Sequence, residues 1–262
     1  MKKTIFTLLL TAVTLMANSC NGVQKSDFQD DEVALRQTIT FKASDGLLIT
    51  ADLYANNPDN SPMIILFHQA RWSRGEYREI APKLNDLGFN CIAIDQRSGG
   101  EVNGVVNETH QRAEKQKLGT TYVDAETDIK SAIEYVKKTY PKAKKIIIWG
   151  SSYSSALVLK IGGDRNDIDA ILAFAPGEYF EDMGKPADYV TESAKNIMVP
   201  VFITSSKAEK ENWWNIYEVI PSIGKDYFVP ETDGNHGSRA LWEKFDDSRY
   251  YWKAVTEFLK RL

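Results

Sequence analysis

The residues best suited to chemistry lie around Ser152, in the run Ile146-Ile147-Ile148-Trp149-Gly150-Ser151-Ser152-Tyr153-Ser154-Ser155-Ala156. An apolar stretch of strand length is followed by a turn of small residues and then by a helical pattern. Gly150 and Ser154, two before and two after Ser152, leave room for a sharp strand-to-helix turn that lifts the Ser152 hydroxyl above the sheet. The helix N-terminus beneath it favours developing negative charge. The competing reading is that Ser152 simply caps the helix, because serine is a good N-cap. A serine nucleophile needs a base, and there are three histidines. His68 and His110 precede Ser152. His236 lies in Thr232-Asp233-Gly234-Asn235-His236-Gly237, where flanking glycines suit a loop that delivers a side chain to a fixed point. The chemistry on offer is nucleophilic acyl transfer by an imidazole-activated hydroxyl.

Such groups must be held by a rigid scaffold, and the rest of the chain provides one. Thr38–Phe41 and Leu47–Tyr54 flank Asp45-Gly46, a hairpin signal. Continuous apolar runs recur at Pro62–Phe67, Cys91–Ile94, Ile146–Trp149, Ala170–Phe174, Val199–Ile203 and Tyr227–Val229. Strands apolar on both faces belong to a parallel sheet covered by helices. Helical patterns alternate with them over Tyr77–Leu87, Ala125–Tyr140, Tyr153–Ile161, Asn212–Ile220 and Tyr251–Leu262. The expected fold is α/β, a mostly parallel twisted sheet of about eight strands with an N-terminal antiparallel hairpin and helices on both faces. Cys91 reads as a buried small hydrophobe. Gly100–Thr120 is a long polar connection, either partly helical and covering a pocket or a surface excursion.

Taken together, these segments resemble the α/β-hydrolase superfamily over about Thr38–Leu262, most closely its dienelactone-hydrolase-like and esterase-like members. The superfamily's nucleophile, acid and histidine follow in that order, which Ser152 and His236 obey. Phe67-His68-Gln69-Ala70-Arg71 resembles the oxyanion segment after the third strand. The resemblance assigns the oxyanion hole to the N–H groups of Ala70 and Tyr153, leaves His68 structural, and finds Gln69 where glycine is usual. Asp95-Gln96-Arg97-Ser98-Gly99-Gly100 resembles a segment with a mainly structural role. The acid is Glu209, beside Ala208 at the position where the family carries aspartate; the alternative is Glu178, after the preceding strand. A carboxylate there orients the imidazole and stabilises its protonated form. Dienelactone hydrolases use a cysteine nucleophile, so their particular substrate does not carry over. The implied function is hydrolysis of carboxylic esters, or of related thioesters or lactones. An exopeptidase of the same fold and a non-catalytic binding lipoprotein are the alternatives. The expected partner is a small-molecule acyl substrate, and no cofactor is expected. Neither His-Glu-x-x-His nor a cysteine–histidine cluster occurs, and no phosphate-binding loop is present.

The first 19 residues read as a signal peptide. Lys2 and Lys3 precede an apolar stretch, Ile5–Met16, too short for a membrane span. Ser19-Cys20 resembles a bacterial lipoprotein cleavage site, which implies lipidation at Cys20 and export to the cell envelope. Ordinary signal cleavage nearby is the plainer alternative. Residues 20–36 then form a flexible polar tether and 37–262 the hydrolase domain. Membrane attachment would be through the N-terminal lipid only. The chain has 262 residues and a net charge of −4 with no basic patch, so nucleic acid is an unexpected partner. The oligomeric state is open.

Overall fold

The computed structural model describes residues 36–262. The signal peptide, Cys20 and the tether up to residue 35 lie outside the described residues.

The expected hairpin forms from β1 (Gln37–Lys42) and β2 (Leu48–Tyr54), paired antiparallel across the Asp45-Gly46 turn. Next come β3 (Met63–Phe67), α1 (Ile80–Asp86) and β4 (Asn90–Ile94). The long polar connection contains a two-stranded hairpin, β5 (Glu101–Val102) with β6 (Val105–Val106), and α2 (Glu108–Lys115). The chain continues through α3 (Glu126–Thr139), β7 (Ile146–Ser151), α4 (Tyr153–Gly163) and β8 (Ala170–Phe174). It closes with α5 (Tyr189–Ala194), β9 (Val201–Thr204), α6 (Lys210–Val219), β10 (Lys225–Phe228) and α7 (Ser248–Leu259).

The main sheet has eight strands in the order β1-β2-β4-β3-β7-β8-β9-β10. β2 runs antiparallel to β4, and every pair from β4 to β10 is parallel. Alternation along each strand divides the core into two layers. Ile146 and Ile148 of β7 face α3, α4, α5 and α6, where Ile129, Leu157, Val190 and Trp213 cover them. Ile147 and Trp149 face α1 and α7, under Leu84, Val255 and Phe258. Strands buried on both faces have no polar side to show, which is why they read as unbroken apolar runs.

α6 and α7 start two and three residues before the expected bounds, and two further helices depart from theirs. The Tyr77–Leu87 pattern is split: a short 3-10 turn covers Arg74–Tyr77 and α1 begins at Ile80. α4 runs through Gly162 and Gly163 to a cap at Asp164. A Cβ on Gly163 would collide with the Ser193 backbone and one on Gly162 with Ile171, so these glycines serve the packing of α4 on α5 and on β8. α5 has no counterpart in the sequence pattern because its six residues are too few to show a period.

Candidate active site

In a parallel sheet every strand points the same way, so the loops after β3, β7, β8, β9 and β10 gather at one end. The chain leaves β3 toward β4 on one side and returns as β7 on the other, which opens a crevice at the strands' carboxyl ends. Ala70 follows β3, Ser152 follows β7, Glu178 follows β8, Glu209 follows β9 and His236 follows β10.

Ser152 sits between β7 and α4 with φ 57° and ψ −125°, a backbone conformation that costs a non-glycine residue about 1–3 kcal/mol. The small residues around it make the turn possible. A Cβ on Gly150 would overlap the Ser154 carbonyl oxygen. Ser154 is buried and fully used: its hydroxyl donates to the His68 carbonyl at 2.6 Å and accepts from Gln96 Nε2 at 2.6 Å. Ser152 occupies the N-cap position of α4, yet its side chain makes no capping hydrogen bond. The plain capping role therefore does not explain why serine stands in this strained position. Two more non-glycine residues with positive φ, Arg71 (65°) and Ala175 (57°), end the strand exits on either side of it. Three of the five non-glycine residues with positive φ among the described residues thus lie at adjacent strand exits around one crevice.

The oxyanion segment is held from behind. His68 is buried; Gln96 N–H donates to its Nε2 at 3.0 Å, which leaves the ring proton on Nδ1 to donate to the Gln69 carbonyl at 2.8 Å. Burial pushes the imidazole pKa down to about 4, so the ring is neutral. Ala70 N–H makes no hydrogen bond among the described residues. Tyr153 is the first residue of α4, where the backbone N–H has no intrahelical acceptor. The Tyr153 side chain points back into the core, accepting from Gln96 Nε2 at 2.9 Å and contacting Ser98 Oγ at 2.6 Å.

The two carboxylates weighed as the acid are separated by their partners. Glu209 ends the 3-10 turn Lys207–Glu209, and its Oε1 accepts a hydrogen bond from His236 Nδ1. Its Oε2 closes a capping box, accepting from the Ser206 hydroxyl at 2.6 Å and the Ser206 N–H at 3.2 Å. Burial raises the carboxyl pKa, but the bonds from His236 and Ser206 outweigh it and hold it below the ordinary glutamate value. Glu178 is committed elsewhere. Its oxygens accept from Val190 N–H at 2.9 Å and from the Thr191 N–H and hydroxyl at 2.8 Å each. As the alternative acid Glu178 is therefore set aside: both oxygens hold the first turn of α5, and no bond joins it to His236 among the described residues.

One carboxylate at this end was not legible in the sequence. Glu76 is fully buried and hydrogen-bonds Gln69 N–H and the Ser151 hydroxyl. It stands in the charged run Arg74-Gly75-Glu76-Tyr77-Arg78-Glu79, which reads as solvated surface. Only the 3-10 turn, which points Glu76 inward, distinguishes it. The Asp95–Arg97 segment builds a frame: Asp95 pairs with Arg74 and Arg97 with Asp128, all buried. Among the described residues no group of three or more His, Cys, Asp or Glu could hold a metal ion. No described helix is long and apolar enough to cross a membrane.

An eight-stranded, mostly parallel sheet with an antiparallel N-terminal pair, and a strained serine at the exit of a central strand, make up the α/β-hydrolase fold, and this chain has that fold. Residues 58–180 match the serine aminopeptidase (S33) family of hydrolases, a segment that includes Ala70 and Ser152 but ends before Glu209 and His236. The fold superposes on the Pyrococcus furiosus esterase Pf2001 with a TM-score of 0.69, at 21% identity, covering 88% of this chain and 94% of that one. A Pyrococcus horikoshii acylaminoacyl peptidase superposes with a TM-score of 0.63 at 17% identity, over 86% of this chain and 41% of that one. In sequence, the thiohydrolase apmlB of Arthrinium phaeospermum is 26% identical over 172 residues, 60% of this chain. The chain matches about half the length of that relative, 50%.

Proposed function

We propose that this protein is a serine hydrolase that cleaves carboxylic esters, or related thioesters or lactones, through Ser152, His236 and Glu209. The observation that carries the reading is the Glu209–His236 pair, on loops at the same end of the sheet as the strained Ser152 turn. In this mechanism His236 Nε2 takes the Ser152 proton as Oγ attacks the acyl carbonyl. Glu209, bound at Nδ1, fixes the tautomer and offsets the charge the ring gains. The N–H groups of Ala70 and Tyr153 receive the oxyanion, at roughly 3 kcal/mol each. His236 then protonates the leaving oxygen or sulfur, and later draws the proton from the water that frees the acyl group. A thioester substrate finds support in the thiohydrolase relative.

A second reading, an exopeptidase, is favoured by the match to the serine aminopeptidase family. Export as a lipoprotein through Cys20 remains part of the proposal. The deciding experiment treats the protein with a fluorophosphonate, maps the labelled residue, and compares p-nitrophenyl esters, acyl thioesters and aminoacyl p-nitroanilides as substrates. Labelling at Ser152 and ester turnover lost by at least about 10³-fold in Ser152→Ala are expected. An unreactive Ser152 would mean a non-catalytic scaffold, and faster turnover of the anilides an exopeptidase.

A further inference from the structure

We propose that Glu76 is a positioning residue for this site: its buried carboxylate joins the oxyanion segment, the Ser152 turn and the His236 loop into one hydrogen-bonded unit. The inference rests on the serine-hydrolase reading above. Gln69 N–H donates to Glu76 Oε2 at 2.8 Å, and the Ser151 hydroxyl donates to Oε1 at 2.7 Å. The Ser151 oxygen in turn accepts the Ser238 N–H at 2.9 Å. Trp242 Nε1 donates to the Glu76 carbonyl at 2.9 Å, which pins the turn that carries the side chain. Gln69 directly precedes Ala70, Ser151 directly precedes Ser152, and Ser238 lies two residues after His236. Glu76 therefore reaches each of the three loops one or two residues from a reacting group. Its own hydrogen bonds go to Gln69 and Ser151, which flank those groups.

The fit between these loops is tight. Gly237 has φ +70°, and a Cβ there would fall 2.5 Å from Ser151 Oγ and 2.8 Å from Gln69 Oε1. A carboxylate is required by the hydrogen-bond accounting. One donor is a backbone N–H, which cannot turn round. The other is a hydroxyl that already accepts from Ser238, so its proton is the group left to give. Both need an acceptor, and a carboxylate has one oxygen for each. An amide has only one oxygen, so Glu76→Gln must set an N–H against Gln69 N–H or turn the Ser151 hydroxyl away from the acceptor it has. A carboxylate held this deeply is costly, and a role in packing alone would be filled better by an apolar side chain. Burial pushes the carboxyl up to about 7, against the bonds from Ser151 and Gln69 and the charges of His236 and Arg239 that face it from the loop after β10. Tyr77 lies beside it on its own turn. When Glu76 takes a proton it meets the same donor conflict as glutamine.

The test measures kcat, KM, the pH profile and the melting temperature of the full chain and of the Glu76→Gln and Ser151→Ala variants with a p-nitrophenyl ester. For Glu76→Gln we expect kcat to fall about 10- to 100-fold, less than the loss of an oxyanion donor outright. KM should stay within about threefold, since ground-state binding is untouched. The acid limb of kcat/KM should move to lower pH, because the group that titrates near 7 is gone. Ser151→Ala, which keeps the carboxylate but cuts its link to two of the loops, should lower kcat by at least about fivefold with the same small change in KM. Turnover within twofold of wild type and an unmoved acid limb in Glu76→Gln would overturn the proposal. So would a loss that merely tracks a lowered melting temperature and recovers on cooling. If Glu76→Gln fails to fold, wild-type kcat in Ser151→Ala overturns it by itself. A wild-type chain that neither takes the fluorophosphonate nor turns over ester removes the hydrolase reading and this one together. A reactive wild type with an indifferent Glu76→Gln removes this one alone.

Discussion

At the scale of single residues, the direction of a carboxylate decides between two candidates that look equivalent along the chain. Glu178 and Glu209 each follow a strand of the central sheet, and each has its side chain half-buried. Glu209 turns to His236 and Ser206, while Glu178 turns to the N–H groups of Val190 and Thr191. Glu209→Gln should therefore lower kcat by roughly 10²- to 10⁴-fold, as expected when the group that fixes the imidazole tautomer is neutralised. Glu178→Gln should leave kcat within about twofold. It should cost about 1 kcal/mol of stability, because an amide can accept only part of what the carboxylate accepts at the start of α5. Steady-state kinetics and thermal melting on the two variants separate these effects. Because Glu209 ionises below the ordinary glutamate range, its protonation does not set the acid limb of activity.

At the scale of elements, the turn from β7 to α4 does the positioning, and it depends on what is missing from Gly150. Any side chain there meets the backbone of Ser154, the second residue of the helix. Gly150→Ala should cost about 1–3 kcal/mol through this overlap. The relief available is to swing the start of α4 away, which moves Ser152 and Tyr153 N–H together. Fluorophosphonate labelling of Gly150→Ala should accordingly slow by more than tenfold at a temperature where the variant is still folded. A variant that loses stability but labels at the wild-type rate would show that the turn tolerates displacement. Ser154 shows the complementary device. Where a bare glycine would leave the Gln96 amide and the His68 carbonyl without this partner, its hydroxyl joins β7–α4 to the oxyanion segment.

At the scale of the whole molecule, two buried groups near the site give stability an unusual dependence on pH. Folded Glu76 ionises at about 7 against an ordinary 4.5, so between those values the folded chain holds a proton that the unfolded chain has lost. Its contribution to stability falls as pH rises through that window, by at most roughly 3 kcal/mol. His68 runs the other way. Unfolded, it takes a proton below about 6.5; folded, only below about 4. Its contribution is present above 6.5 and is lost as pH falls toward 4, again by roughly 3 kcal/mol. The opposed slopes overlap between about 4.5 and 6.5 and partly cancel. Of these two slopes, only that of His68 remains in Glu76→Gln. Urea unfolding at pH 5 and pH 6.5 should then show a larger gain in stability with pH for the variant than for the wild type.

Much of this architecture was legible because it is written in local pattern. Apolar runs long enough for a strand and buried on both faces announce a parallel sheet, and small residues between a strand and a helix announce the Ser152 turn. His236 stood out by elimination and by its glycines, and Glu209 by its place after β9. What pattern could not decide was direction. Whether Glu178 or Glu209 faces His236 depends on side-chain torsions set by contacts distant in sequence, and both positions carry the same residue type. Glu76 was hidden for the same reason. Its neighbours along the chain are charged, so local composition points to water, while the partners that bury it come from β7 and from the loop after β10. Those partners, Ser151 and Trp242, lie 75 and 166 residues away. Sequence by itself determined the strands of the main sheet, most of the helices and which end of the sheet carries the reactive groups. Only the tertiary structure decided which carboxylates meet which donors, because hydrogen bonds are made across the packed loops and not along the chain.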